Sequence, residues 1–252
     1  MKIKDLIYFF LKKYPIKMQE RWDRCGIIIK IGLNQILKKC LICLDLTNEV
    51  ADYACENKIN LIISHHPLFR NKKNQAILSK LKINKIPCLS LHTCFDNNKN
   101  GMNFLITKEL KIQKIIWIKN GKSYLPLGCF TKKKNIKEIV ALLKEKFYCP
   151  YIFTNIKNKN KSFKYFALCA GAGYYCLIKN FNKLNRKNLL CITGDLKYHN
   201  WIEIKENKLN FLDVGHELEN FFVNYFANEI KKNFPQIKIK KFFSKQTKFL
   251  VN

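Results

Sequence analysis

The chain has 252 residues, of which 48% are hydrophobic, so it has enough apolar content to fill a real core, which excludes a disordered chain. Its formal net charge of +29 has two interpretations, a polyanion-binding surface or the lysine-rich composition of an AT-rich genome. The lysines are spread along the whole chain, which favours composition, and a nucleic acid partner is the weaker alternative.

The sequence gives no sign of a membrane segment or an export signal. The apolar run in MKIKDLIYFFLKKY is too short for a signal peptide, and no run approaches the roughly 20 apolar residues of a membrane helix. The eleven cysteines are scattered, mostly within apolar runs, and Cys40 and Cys43 form a C-x-x-C without a second pair. This pattern is typical of buried thiols in a reducing compartment. We therefore expect a cytoplasmic protein that does not associate with membranes.

Short apolar runs alternate with amphipathic segments in the first half of the chain. The run CLICLDL at 40–46 predicts a buried strand, and the next segment, TNEVADYACENK, predicts a helix capped by Thr47. Further along, the pattern predicts the strand INLIIS, the helix NQAILSKLKIN, the strand PCLSLHT and the helix GMNFLITKEL. This βαβαβα order predicts a parallel or mixed sheet covered by helices.

The second half resumes the alternation after a different middle segment. From about 121 to 155 the pattern predicts the strand SYLPLGC, the helix NIKEIVALLKEKF and the strand YIFTNI. There follow strands KYFALCA and NLLCIT, helix LKYHNWIEIKEN, strand LNFLDV and helix ELENFFVNYFANEIKKNF. We predict one two-lobed α/β domain over 1–252, with mixed sheets flanked by helices. One lobe is expected at about 1–120 plus the C-terminal part, and the other at the middle segment 121–165.

Polar side chains follow three of the predicted strands, where ligands of parallel sheets bind. Four of the five histidines fall at such junctions, although a single histidine there is more often structural. The adjacent pair suits two metal ions better than one. A mixed nitrogen and oxygen donor set favours Zn, Mn, Fe or Co. The residues at these junctions are His65 and His66, His92 and Asp96, and His216 and Glu219.

Six segments in their order along the chain resemble the dinuclear-metal family known as GTP cyclohydrolase 1 type 2 homologues. They are RWDRCGIIIKIG, CLDLTNEVADYACENKINLIISHHPLF, LHTCFDNNKNGMN, ALCAGAG, ITGDLKYHN and DVGHELEN. The resemblance extends to about residue 230. It implies a two-lobed α/β fold with a two-metal site between the lobes, and a ring-shaped homohexamer. It assigns the metal ligands to His65, His66, Asp96, His216 and a terminal glutamate.

The terminal glutamate is where the sequence departs from the family. The family places it four residues after the motif histidine, and here that position is Asn220. Positions three and four return to the same face of a helix, so Glu219 is the predicted ligand. Glu217 is the alternative.

Other motifs have both functional and structural interpretations. The resemblance places His199 near the metals, as a proton shuttle or substrate contact, and the alternative is an exposed helical histidine with Asp195 one turn earlier. His92 is the second candidate for proton transfer. The GAG at 171–173 lacks the spacing of a dinucleotide fingerprint, so it predicts a tight turn that approaches the site. Trp22 and Asp23 are interpreted as packing with a cap.

These observations predict a hydrolase that uses two divalent metal ions per chain. The substrate class is a nucleotide-like small molecule with a cyclic amide or amidine, and the family resemblance implies ring opening of GTP. Two other classes remain: a non-catalytic scaffold that metals stabilise, and a ring protein that binds nucleic acid. Metal-dependent turnover separates the first from the second, and a steep salt dependence of affinity identifies the third.

Overall fold

The computed structural model describes residues 1–68, 74–184 and 188–243. The chain divides into two compact units, Met1–Phe95 with Phe222–Asn252, and Asp96–Phe221. Each unit contains one mixed sheet with helices, which confirms the predicted fold class. The second unit is longer than the middle segment 121–165 because strands on both sides of that segment join one sheet.

The described residues form these helices: α1 Ile3–Lys13, α2 Asn48–Glu56, α3 Gln75–Ile83, α4 Thr93–Asp96, α5 Met102–Glu109, α6 Ile136–Lys146, α7 Tyr174–Leu184, α8 Tyr198–Glu206 and α9 Phe221–Asn233. Two short 3₁₀ helices span Ile16–Met18 and His216–Asn220. The strands are β1 Gly26–Ile29, β2 Lys39–Cys43, β3 Leu61–Ser64, β4 Cys88–Ser90, β5 Ile112–Asn120, β6 Ser123–Asn135, β7 Phe153–Thr154, β8 Ser162–Leu168, β9 Leu190–Thr193, β10 Phe211–Asp213 and β11 Lys238–Phe242.

The first unit is built on a five-stranded sheet of order β1-β4-β3-β2-β11. Strands β4, β3, β2 and β11 are parallel, and β1 is antiparallel at the edge. Residues of α2 and α3 bury apolar side chains against β2 and β3 in one cluster. The three central strands are almost wholly buried because helices cover a parallel sheet, so they appear in the sequence as continuous apolar runs.

The second unit is built on a six-stranded sheet of order β5-β6-β8-β9-β10-β7. Its centre, β8-β9-β10, is parallel, whereas β5, β6 and β7 pair antiparallel. Helices α7 and α8 contribute Tyr174, Leu177 and Ile204 to a buried cluster with this sheet. Each unit therefore has a run of parallel strands, four in the first unit and three in the second, whose carboxyl ends share one edge.

Local signals in the sequence correctly located most of these elements. Thr47 caps α2, as predicted, and its hydroxyl accepts a hydrogen bond from the Val50 amide at 3.2 Å. Six helices and strands were not predicted: α1, β1, α4, β5, α7 and β11. Helix α7 reads YYCLIKNFNKL, and its aromatic and asparagine residues have modest helix propensity. Its helical state depends on packing against the sheet.

The two cysteines of the C-x-x-C pair lie in β2, an interior strand of the first sheet. Cys40 and Cys43 are both fully buried in β2, and burial raises the pKa of both thiols. They are inert core residues. In the described part of the chain, no helix is both long and apolar enough to cross a membrane.

Candidate metal centre

The carboxyl edge of the first sheet gathers polar side chains from three neighbouring parallel strands. Asp45 follows β2, His65 and His66 follow β3, and His92 follows β4. The strands are in register, with Ser64 aligned to Cys43 on one side and to Ser90 on the other. The strand ends therefore lie side by side, as the sequence pattern predicted.

Three histidines form a compact group at this edge. The ring centroids of His65 and His66 are 4.9 Å apart, and the ring of His92 lies 5.1 Å from His65 and 5.2 Å from His66. One ring nitrogen from each histidine lies within 4.8 Å of the others. His65 is fully buried, whereas His66 and His92 are half-buried. The group is a candidate site for a divalent cation.

Each of these rings is oriented by a hydrogen bond from its Nδ1 atom. His65 Nδ1 donates to the Leu91 carbonyl at 3.0 Å, and His66 Nδ1 donates to Asp45 Oδ1 at 2.7 Å. His92 Nδ1 donates to Oδ1 of Asp23 at 3.0 Å. A proton on Nδ1 leaves the lone pair on Nε2, the form in which imidazole binds a metal.

Asp23 is the most constrained of these acceptors. Its carboxylate also accepts hydrogen bonds from the amide and hydroxyl of Thr93 and from the Arg24 amide. Burial acts to raise the pKa of Asp23, but hydrogen bonds from His92 and Thr93 outweigh it and hold the pKa well below its usual range. Asp23 therefore stays ionised and fixes the ring of His92. The sequence was interpreted as giving Asp23 a packing and capping role, and it did not indicate that Asp23 orients a histidine.

The carboxyl edge of the second sheet has a similar arrangement. Gly171 follows β8, Asp195 follows β9, and His216 and Glu219 follow β10. Strand β9 is parallel to both neighbours, with Thr193 aligned to Asp213 and Ile192 to Leu168. His216 and Glu219 both lie in the 3₁₀ helix His216–Asn220.

His216 is held between two carboxylates. Its Nδ1 donates to Asp195 Oδ2 at 2.5 Å, and its Nε2 donates to Glu219 Oε2 at 2.8 Å. Burial acts to lower the pKa of His216, but the hydrogen bonds to Asp195 and Glu219 outweigh it and raise the pKa to about 11. In the absence of metal, the imidazole is therefore a cation paired with Glu219.

Backbone geometry fits the close approach of these groups. Gly171 has φ +61°, and a Cβ atom there would lie 2.2 Å from Glu219 Oε1 and 3.5 Å from His216 Cε1. Asp195 also has a positive φ, +55°, a conformation that costs energy for a residue with a side chain. The turn predicted at GAG is therefore needed for the placement of the Glu219 carboxylate.

The structure distinguishes the two candidate glutamates. Glu219 is 4% exposed and contacts His216. The Oε2 atom of Glu217 is instead close to Gly215. Burial raises the pKa of Cys149 to about 12, and the negative charge of Glu217 adds to this increase. Glu219 is thus the one that lies with His216.

Asp96 and His199 occupy different environments within the second unit. The pKa of Cys169 is raised first by its hydrogen bond with Cys176 and by burial, and then by the charges of Asp96 and Glu219. The carboxylates of Asp96 and Glu219 are therefore both close enough to Cys169 to raise the pKa of its thiol. His199 is an exposed residue near the start of α8, and Asp195, one turn earlier, pairs with His216. A catalytic role for His199 remains a prediction.

Asp45 and Asp195 are functional candidates that the sequence interpretation missed. Each lies two residues after a buried strand, Asp45 after β2 and Asp195 after β9. A pattern in the sequence could have identified them. An acidic residue just after one parallel strand, beside a strand that is followed by a histidine, indicates a hydrogen-bond partner for that histidine.

The donor set fits divalent cations of the first transition series. The anchored Nδ1 atoms of His65 and His66 leave their Nε2 atoms as ligands, and a cation can replace the proton that His216 shares with Glu219. The protein thus has His and Glu groups able to bind metal.

Comparison with known proteins gives a consistent result. The chain matches the Duf34/NIF3 family (NGG1p interacting factor 3) over residues 1–248. It is 33% identical over 242 residues to the "GTP cyclohydrolase 1 type 2 homolog" of Ureaplasma parvum, with 92% of this chain and 90% of the relative covered. It is 32% identical to the protein of the same name from Mycoplasmopsis pulmonis, with 89% and 91% covered.

Solved structures show the same fold. "Reduced HcgD from Methanocaldococcus jannaschii" superposes with a TM-score of 0.82 at 24% identity, covering 96% of this chain and 97% of the other. Staphylococcus aureus protein SA1388 superposes with a TM-score of 0.82 at 20% identity, covering 100% and 99%. With the family match extending over nearly the whole sequence, the chain belongs to the Duf34/NIF3 family.

Proposed function

We propose that the protein is a hydrolase dependent on two divalent metal ions, held by His65, His66, Asp96, His216 and Glu219. The observation that carries this proposal is the orientation of the histidines. His66, His92 and His216 each donate Nδ1–H to a carboxylate, and His65 donates to a main-chain carbonyl. A histidine that only packs has no need of an acidic partner, whereas metal-binding histidines usually have one.

Bound divalent cations would supply Lewis acidity, activating water for attack and stabilising negative charge on the reacting carbonyl or amidine. His92 is the residue of this chain placed to move a proton. Its ring contacts both His65 and His66, its side chain is 16% exposed, and the ionised Asp23 holds its Nδ1 proton. A proton arriving at Nε2 gives an imidazolium that the negative charge of Asp23 stabilises.

The proposed substrate is a nucleotide-like small molecule with a cyclic amide or amidine C–N bond. Support comes from the name shared by the bacterial relatives, GTP cyclohydrolase 1 type 2 homolog. His199 is proposed to assist as a proton shuttle or substrate contact, since its ring is accessible to solvent. Its change to Ala should leave the metal content intact and reduce only turnover.

Elemental analysis and turnover test the proposal together. Protein purified without chelator and supplemented with Zn, Mn, Fe or Co should contain about two metal ions per chain. Conversion of GTP should stop when a chelator removes the metals and return when they are added back. The His66→Ala protein, purified in parallel, controls for contaminating activity. A metal content near zero would refute the site, and bound metal without turnover of any tested nucleotide would favour the scaffold.

Two further properties form part of the proposal. All eleven cysteines are free thiols, which supports a cytoplasmic location because that compartment is reducing. Assembly into a homohexamer follows from the family resemblance. Sedimentation of the purified protein measures its mass, and a monomer at micromolar concentration would contradict the hexamer.

A further inference from the structure

An exposed tryptophan lies beside the histidine group of the first unit. The indole of Trp22 is 63% exposed, and its centroid is 5.6 Å from the ring of His92 at an interplanar angle of 71°. The other two tryptophans are less exposed than Trp22. Trp117 and Trp201 are half-buried, and both pack against other side chains. Of the three, Trp22 alone presents most of its ring to solvent.

Hydrogen bonds anchor the loop that carries Trp22 on both sides of this residue. Asp23, the next residue, is 6% exposed and accepts hydrogen bonds from the amide and hydroxyl of Thr93. On the other side, the Glu20 amide donates to the Thr93 hydroxyl at 2.9 Å. The Cys25 amide closes the loop by donating to the side chain of Gln19 at 2.8 Å. The loop is fixed on both sides, so the indole is held outward at a defined position.

The surroundings of Trp22 favour a small planar ligand over a protein partner. Arg21 precedes Trp22 and Arg24 follows Asp23, and both arginines are exposed, so cationic residues flank the indole along the chain. A protein-binding patch requires several contiguous apolar side chains. A single large aromatic ring with polar surroundings matches a heterocycle that has an apolar face and polar edges.

The geometry points to Trp22 as the surface on which the planar ring of the ligand stacks, next to His92. This assignment rests on the proposed function for the identity of the site, and it adds the residue that selects a planar substrate. A nitrogen heterocycle stacked on the indole would lie beside the imidazole of His92, the group proposed to move protons. Trp22 binds the ring and takes no part in proton transfer.

Binding measurements on the full-length, metal-loaded protein test this role. The probes are GTP, guanosine and ribose 5-phosphate, which lacks a planar ring, each titrated by calorimetry. Trp22→Ala should weaken GTP and guanosine by about tenfold or more, the scale of one base–aromatic stack. Any affinity for ribose 5-phosphate should be unchanged. Trp22→Phe, which keeps a planar ring, should recover most of the loss. Tyr8→Ala, which removes an aromatic residue that is 61% exposed on α1, should bind as the unmodified protein does.

A second measurement is independent of whether Trp22→Ala folds. A variant with Trp117→Phe and Trp201→Phe has Trp22 as its only indole, and guanosine should quench its fluorescence with the affinity found by calorimetry. Unchanged guanosine binding by Trp22→Ala, absence of quenching, or absence of guanosine binding to the unmodified protein would each overturn the assignment. Turnover is scored separately: binding that depends on Trp22 without hydrolysis would refute the proposed hydrolase and leave the stacking role in place.

Discussion

A methyl group on Gly171 would lie 2.2 Å from Oε1 of Glu219. The carboxylate that pairs with His216 therefore occupies space that every other residue at position 171 would fill. The glycine also has φ +61°, so two independent requirements exclude a side chain at this position.

Gly171→Ala should displace the Glu219 carboxylate and weaken metal binding, by an amount similar to that of Glu219→Gln. The positive φ adds strain of about 1 kcal/mol or more to the folded state. Gly121→Ala is the matched control, because Gly121 has φ +59° and no atom within 4 Å of the added Cβ. Both variants should lose thermal stability, and only Gly171→Ala should lose metal affinity by calorimetric titration. Equal metal affinity in both variants would show that Glu219 does not bind metal.

Glu219→Gln should weaken the binding of both metal ions far more than Glu217→Gln. The change keeps the shape of the side chain and removes a charge that offsets the repulsion between two dications. Glu219 is buried against His216, whereas Glu217 lies near Gly215. Metal titration of the two variants measures the difference. Greater damage from Glu217→Gln would mean that the ligand is at the first position after His216.

Asp45→Asn should lower metal affinity by about 10- to 100-fold, the usual effect of removing the partner of a metal-binding histidine. The amide still accepts a hydrogen bond from His66 Nδ1, so the ring stays in place, but its basicity falls. Asp52→Asn is the control, because Asp52 pairs with Lys80 in the same unit. Competition with a chelator of known affinity gives both constants. A similar loss in both variants would point to a general electrostatic effect.

Metal binding should release a proton from His216 at pH 8. Its pKa is raised to about 11 in the metal-free protein, whereas an ordinary histidine, with a pKa of about 6.5, is already neutral at pH 8. Affinity should rise with pH between about 7 and 11, because deprotonation frees the Nε2 lone pair. Calorimetry in buffers of different ionisation enthalpy counts the released protons. Asp195→Asn should reduce the count at pH 8 by removing one cause of the raised pKa.

The same raised pKa affects the stability of the metal-free protein. Because His216 holds its proton more tightly in the folded state, its ion pairs contribute stability that is fully present below about pH 6.5 and is lost as the pH rises through about 11. Chemical denaturation of the metal-free protein at pH 7 and pH 10 should show lower stability at pH 10. His216→Gln should reduce that difference, and an unchanged difference would assign it to other groups.

The sequence by itself determined the strands that carry the site. The apolar runs CLIC, LIIS, LCIT and FLD are buried strands because helices cover parallel sheets, so no alternation interrupts the pattern. Polar residues directly after such runs had to lie at the carboxyl edge of a sheet. The positions of His65, His66, His92 and His216 at strand ends followed from this rule alone.

Tertiary structure decided which side chains act on one another. Asp45 and His66 are 21 residues apart, and their contact depends on the register of β2 with β3, which no local pattern encodes. The choice of Glu219 over Glu217 needed the 3₁₀ geometry of His216–Asn220 and the open space at Gly171. The roles of Asp23 and Trp22 likewise required the loop that Thr93 anchors. Periodicity reports burial along one element, whereas these contacts join separate elements, so only the folded chain defines them.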